Sequence, residues 1–352
     1  MSQFGTPGEL GQLGHTNSHI RSDSRNHSER ICLIVNPKAG AGKAADNIDA
    51  LRVAADRAFS QWDIRETQGP GHATELAAQA CEEGFHLVAA VGGDGTCHEV
   101  VNGLIKDDRA RSKQTAFCVL PFGTGSDLIK SLQTPKRLSE ALWIAATGIT
   151  LPSDVGKATF REGDALRVRY FINVAGFGAN GEVVRYANQS SKRFGGKATF
   201  VGASLKTIAN YKHPNVRIHA TQAEQSLEWQ GQLLSTFVAN GSFCGGGMNV
   251  GHKGNMHDGI FNITILPSMS AVQQLAHLPK LYNGQIAAIP GAKCAQVNTL
   301  KATAPAHTTV YVDLDGELSG QLPVTIEILP RVLSIRGGWV RSPIVETQQE
   351  VT

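Results

Sequence analysis

Apolar runs that end in glycine-rich turns and restart as amphipathic helices fill the first 150 residues, and no other feature limits the possible folds as strongly. ICLIV at 31–35, WDIRET at 62–67, FHLVAAV at 85–91 and TAFCVLP at 115–121 have the composition of short buried strands. Between them, residues 44–59, 71–84 and 96–105 repeat apolar positions at helical spacing. Strands that alternate with helices imply a parallel sheet covered on both faces, with a ligand crevice at the carboxyl ends of the strands. After SLQTPKRLSEALWIAATG at 131–148 the pattern becomes strand-like runs with turn residues, interrupted by helical stretches near 197–211 and 270–284. The expected fold class is an α/β N-terminal domain with a parallel sheet, followed by a second, β-rich, sandwich-like domain. A chain of 352 residues is long enough for two such cores.

The expected organisation is a disordered tail over 1–30, rich in Gly, Ser, Asn and His; an α/β domain over 31–150; a β-rich domain over 151–330; and a segment from 331 to 352 that returns to the first domain and ends as a tail. A formal net charge of +3 is too small to argue for nucleic acid but suits anionic ligands or surfaces. The six cysteines have no CxxC pair and read as buried free thiols of a reducing, cytoplasmic setting. No apolar stretch approaches the roughly 18 residues of a membrane span, and the first residues do not have the layout of a signal peptide.

VAAVGGDGTCHEVVNGL at 88–104 is a buried strand, a turn and a helix in succession. Glycines at such a turn let the backbone approach a phosphate, and the following helix N-terminus favours negative charge. Asp94 between Gly93 and Gly95 makes sense there if a metal ion or a hydroxyl stands between acid and phosphate; a tight βα turn with Asp as a turn former is the plainer reading. Thr96 with Glu99 predicts a capping box. NPKAGAGK at 36–43 and LPFGTGSDL at 120–128 stand at the ends of two other strands, and three such turns on one edge are hard to explain as packing. The first is not a P-loop, since Pro37 replaces its leading Gly and Ala44 its Ser or Thr. No HExxH, C/H spacing or GxSxG elbow occurs, and GFGANG at 176–181 lies in the β-rich half. Asp315-Gly316 between apolar runs is a hairpin signal.

Taken in order, NPKAGAGK, GGDGTCHEVVNGL and LPFGTGSDL resemble the diacylglycerol kinase catalytic domain family, which includes bacterial soluble lipid kinases, sphingosine kinases and ceramide kinases. The likeness continues through SDVGKA at 153–158, NVAGFGANGEVV at 173–184, GGGMNVGHKGNMHDG at 245–259 and DLDGE at 313–317. NAD kinases of the wider superfamily share GGDGT, whereas NPKAG and the late DGE favour the lipid branch. The resemblance implies ATP in a cleft between the two domains, with magnesium neutralising its phosphates. Asn36, Lys43, Gly93, Asp94, Gly95 and Thr96 match the nucleotide site, with Glu99, Gly123 and Thr124 facing the same pocket. It assigns the catalytic carboxylate to Asp315 with Glu317 beside it, the two sharing a face if they lie on a strand. Asp127 and Asp154 match carboxylates that organise a structural magnesium, and Asp94 is a further metal candidate. Two departures stand out: Ser126 where the family has Asn, and GHKGNM before Asp258 where relatives carry proline and alanine.

The resulting expectation is an ATP- and magnesium-dependent kinase that phosphorylates a hydroxyl of a lipid such as diacylglycerol, a sphingoid base or ceramide. A kinase of the same fold acting on a soluble acceptor such as a dinucleotide, and a non-catalytic nucleotide-binding regulatory protein, are the alternatives. Between Arg185 and Lys212 basic residues mix with Phe194, Phe200, Val201, Leu205 and Ile208, as a segment lying on an anionic membrane would need. The expected partners are therefore a lipid substrate and a membrane touched peripherally; no nucleic acid is expected, and a homodimer is compatible with the sequence.

Overall fold

The computed structural model of the protein describes residues 26–40, 42–122, 127–162, 165–189, 196–251 and 254–339. The first half contains β1 (Asn26–Val35), α1 (Lys43–Asp46), α2 (Ile48–Ala58), β2 (Phe59–Glu66), α3 (His72–Glu82), β3 (Leu87–Gly92), α4 (Asp94–Leu104), β4 (Ala116–Pro121), α5 (Leu128–Ser131) and α6 (Leu138–Thr147). Then follow β5 (Ile149–Glu162), β6 (Ala165–Phe171), β7 (Val174–Gly178), α7 (Ala179–Gln189), α8 (Gly196–Asn210), β8 (Asn215–Gln222), β9 (Gln225–Ala239), β10 (Phe261–Pro267), α9 (Ala271–Tyr282), β11 (Lys293–Val297), β12 (Thr299–Thr303), β13 (Tyr311–Leu314), β14 (Glu317–Gln321) and β15 (Val324–Gly337).

Strand β3 is buried along its whole length, as the run LVAAVG requires. Its alternate residues feed two cores: Val88 and Ala90 pack with Ala77, Val100 and Val101 of α3 and α4, while Leu87, Ala89 and Val91 pack with Leu51, Ala55 and Leu142 of α2 and α6. The parallel sheet runs β2-β1-β3-β4, and its register aligns Val35 with Val91 and Gly92 with Pro121. The three glycine-rich turns therefore leave adjacent strands at one edge, as the alternation of strands and helices implied.

The strand β1 begins at Asn26, so residues 26–30 belong to the sheet and not to the tail. Glu29 explains why: it accepts two hydrogen bonds from the Arg336 guanidinium at 2.6 and 2.8 Å, a fork that holds β1 to the far end of β15. Ser334 and Ile335 of β15 pair parallel with Ala116 and Phe117 of β4, while earlier residues of the same strand pair antiparallel with β5 and β12.

In the second half the strands β14-β13-β7-β9 are neighbours, and β10 joins β9. One face of this sheet carries Ala175, Phe177, Val238, Val312 and Leu314 into a core shared with β8, β12 and β15. The other carries Val174, Phe237 and Ala239 into a smaller cluster with Leu266, Ile286 and Ile289. Both expected helical stretches form, as α8 and as α9, the latter opened by a Ser270–Gln273 capping box. Val201 and Leu205 of α8 and Val272 and Leu275 of α9 are exposed, whereas Phe194 lies outside the described residues and Lys206 is stacked on Tyr186 at 4.1 Å. Among the described residues no helix is long and apolar enough to cross a membrane. Four cysteines are buried free thiols, but Cys294 is exposed, because β11 is a sheet edge, and Cys244 is half-buried.

Candidate active site

The first and second glycine turns are joined through side chains. Asn36 donates from Nδ2 to Thr96 Oγ1 at 3.3 Å, and its Oδ1 accepts the Lys38 N–H at 3.0 Å. Gly93 is extended and faces open space on its Cα, whereas Lys43 is exposed at the start of α1. The capping box expected of Thr96 and Glu99 does not form. Helix α4 starts at Asp94, which puts Thr96 inside its first turn, and Glu99 instead reaches another helix. Its Oε2 accepts the Ala73 N–H at 3.1 Å, satisfying an unpaired donor in the first turn of α3. Glu99 thereby caps α3 through one of its carboxylate oxygens. Gly123, Thr124 and Ser126 lie outside the described residues.

Asp94 ties the second turn to the third, accepting the N–H groups of Asp127 and Leu128 at 3.3 and 3.4 Å. Burial, then the Asp127 charge, and at greater remove that of Asp315, push its carboxyl up to about 7 against those two donors. Asp127 accepts from Lys130 Nζ at 2.9 Å and from the Gly246 N–H at 2.7 Å. Lys130 is a part of the site that sequence reasoning missed, and although GGGMN at 245–249 belongs to the likeness, nothing in the sequence shows that the Gly246 N–H meets an acid 119 residues away.

Asp315 and Gly316 both have positive φ, 54° and 83°, and Leu314 pairs with Glu317, so DGE is a two-residue hairpin. The two acids consequently do not share a strand face. Asp315 turns inward, its side chain only 4% exposed. Its Oδ1 accepts the N–H groups of Asn173 and Val174 at 2.8 and 3.2 Å, and its Oδ2 accepts the Ile172 N–H at 3.0 Å and meets His98 Nδ1 at 3.2 Å. His98 belongs to the GGDGT helix and is braced by Asn102, which also donates to the Tyr170 carbonyl at 2.8 Å. Glu317 points the other way: a Cβ at Gly95 would collide with its carboxylate. The late hairpin thus closes on the phosphate-type turn at two places.

The neighbouring acid, Asp313, is driven up to about 8 by burial and by the Asp315 charge. Burial, then the charges of Asp313, Asp127 and Asp94, raise the Cys244 thiol.

Asp154 has a different task. It is fully buried, with Oδ1 accepting the Arg331 N–H at 2.8 Å and Oδ2 the Gly259 N–H at 2.7 Å. Asp258 accepts the Ile260 N–H at 3.1 Å and acts as a turn residue. Each oxygen of Asp127 and of Asp154 accepts a short hydrogen bond from the protein. Asp94 suits a cation, because its hydrogen bonds are long and like charges crowd it.

Residues 30–158 match the diacylglycerol kinase catalytic domain, and residues 173–337 match the YegS C-terminal NAD kinase beta sandwich-like domain. A Pseudomonas putida protein named "Probable lipid kinase YegS-like" is 29% identical over 66% of this chain and 73% of its own. A Staphylococcus carnosus protein named "Diacylglycerol kinase" is 25% identical over 84% of this chain and 90% of its own. A solved diacylglycerol kinase of Bacillus anthracis str. Sterne shares the fold, with a TM-score of 0.63 at 22% identity over 88% of this chain and 97% of that one. Another solved chain from the same organism reaches 0.69 at 25% identity over 88% of this chain and 95% of its own. The glycine turns of the first domain and the DGE hairpin of the second thus meet in a chain that carries a diacylglycerol kinase catalytic domain followed by a YegS C-terminal NAD kinase beta sandwich-like domain.

Proposed function

We propose that the protein is an ATP- and magnesium-dependent lipid kinase of the cytoplasm that transfers the γ-phosphoryl group of ATP to a lipid hydroxyl. The observation that carries this reading is the double closure of the DGE hairpin on the GGDGT segment, Asp315 on His98 and Glu317 on Gly95. It sets a carboxylate beside a glycine turn built for phosphates, which is most of what phosphoryl transfer asks of a protein.

The roles follow from position. Gly93 leaves room for a phosphate at the N-terminus of α4, and the Asn36–Thr96 bond fixes the turn's shape. Asp94 would hold magnesium, which when bound neutralises charge on the β- and γ-phosphates. Asp315 accepts the proton of the acceptor hydroxyl as its oxygen bonds to the γ-phosphorus and the bond to the β-phosphate oxygen breaks. For that, one of the four donors on Asp315 must yield, and His98 is the only one on a side chain that can rotate away.

The reading is tested by transfer from labelled ATP, with magnesium, to detergent-dispersed diacylglycerol, monoacylglycerol, sphingosine and ceramide. Labelled lipid that disappears with Asp315→Asn is the expected result. Label only in a dinucleotide, or ATP binding without turnover on any acceptor, would overturn it.

A further inference from the structure

Helix α9 buries none of its twelve residues. Its inward side is held lightly: Gln274 donates to the Met269 carbonyl at 3.0 Å and meets His213, and Leu281 packs against the same buried cluster as Tyr211, Cys244 and Met248. The outward side is apolar. Val272, Leu275, Pro279 and Tyr282 follow the three- and four-residue spacing of one helical face, with Leu278 one turn from Leu275. Val272 is 76% exposed and Leu275 49%. Helix α8, which touches α9, adds the exposed Val201 and Leu205 one turn apart, while its Ala203 and Thr207 are buried. Among the described residues, six of the eleven exposed large apolar side chains stand on these two helices, a concentration that marks a surface meant to be covered.

Charge is sorted in the same place. The whole chain carries 33 Lys and Arg against 30 Asp and Glu, yet residues 183–223, which include α8, hold seven Lys or Arg and no acid. Residues 259–312, which include α9, hold three lysines and again no acid. A helix that faces water turns polar and charged residues outward, normally of both signs. These two offer apolar side chains in surroundings where every formal charge is positive.

The surface also lies beside the candidate active site. Helix α9 contacts Met248 and Asn249, and the same loop carries Gly246, whose N–H holds Asp127. We propose that the apolar face of α9, with Val201 and Leu205 of α8, docks on an anionic membrane, the side chains entering the boundary between headgroups and acyl chains while the surrounding lysines meet lipid phosphates. A second copy of this face would bring like charges together; an anionic bilayer answers both the apolar residues and the charge. The purpose of the docking rests on the lipid-kinase reading, since it would let the acceptor reach the site from the bilayer without crossing water. The docking itself does not.

The test is co-sedimentation of the full chain with vesicles of phosphatidylcholine alone and of phosphatidylcholine with phosphatidylglycerol. Binding is expected to be at least about tenfold tighter to the mixed vesicles and to weaken as salt is raised. The double variant Val272→Gln/Leu275→Gln should bind the mixed vesicles at least about tenfold more weakly. Its melting temperature should stay unchanged, because both side chains are exposed. Trp143→Gln, which removes a 60% exposed apolar side chain from α6, should bind as the wild type does. Equal binding to neutral and anionic vesicles, a double variant that binds like the wild type, or a Trp143 variant that loses as much overturns the proposal. So does a wild type that stays in the supernatant as a dimer which the double variant dissociates, since that assigns the face to a second copy. Vesicle binding that depends on Val272 and Leu275, without phosphate transfer to any lipid, sustains the docking and removes the kinase reading. Phosphate transfer to detergent-dispersed lipid without vesicle binding does the reverse.

Discussion

The Glu317 carboxylate occupies the space that any side chain at position 95 would need, so the third residue of one motif and the last glycine of another, 222 positions apart in the chain, share one contact. Gly95→Ala is therefore expected to displace the DGE hairpin without unfolding the protein. Phosphate transfer should fall by about 100-fold, the scale of a misplaced reacting group, while the melting temperature moves little. An alanine variant with wild-type kcat would show that the contact does not matter to catalysis.

Asp154 is expected to act through stability. Asp154→Ala leaves the N–H groups of Gly259 and Arg331 without acceptors and should cost about 2–4 kcal/mol in denaturant unfolding. Magnesium should not restore the loss. Recovery with magnesium would return Asp154 to the metal ligands.

Glu99→Ala removes the acceptor for the Ala73 N–H, and a lost helix cap costs about 1 kcal/mol. The KM for ATP should stay within about twofold. A rise of tenfold or more in that KM, with stability unchanged, would place Glu99 at the nucleotide.

The pH dependence of stability follows from Asp313. Its carboxyl is raised from 3.8 to about 8, so the folded state holds a proton that the unfolded chain releases. The stability this supplies is complete below pH 3.8 and is lost as pH rises through about 8. Melting temperatures should fall as pH rises from about 5 to about 8, and Asp313→Asn should flatten that fall. An unchanged slope in the variant would assign the proton to another group.

Much of this site was legible in the sequence because it is built from residues at the ends of strands. Asn36, Gly93 and Asp127 had to come together once β1, β3 and β4 were recognised as parallel neighbours. The failures have a common cause, which is competition from distant donors. Thr96 and Glu99 have the local spacing of a capping box, but the first turn of α3 offered Glu99 an unpaired N–H 26 residues away. Nothing near Asp154 in the sequence announces the Gly259 and Arg331 N–H groups that reach it from 105 and 177 residues away. For DGE the two readings, hairpin and functional acid, are not rivals: the positive φ of Asp315 is what turns its carboxylate back toward His98.

The last strand bears on how the protein is made. Because Ser334 and Ile335 complete the parallel sheet beside Ala116 and Phe117, a chain emerging from the ribosome has translated the whole nucleotide half long before that half has its final edge. Until residue 337 appears, β4 presents unpaired backbone to the surroundings, a template for misplaced strands. The two halves therefore mature together, and a chain that terminates before β15 would release its first half with that edge still open.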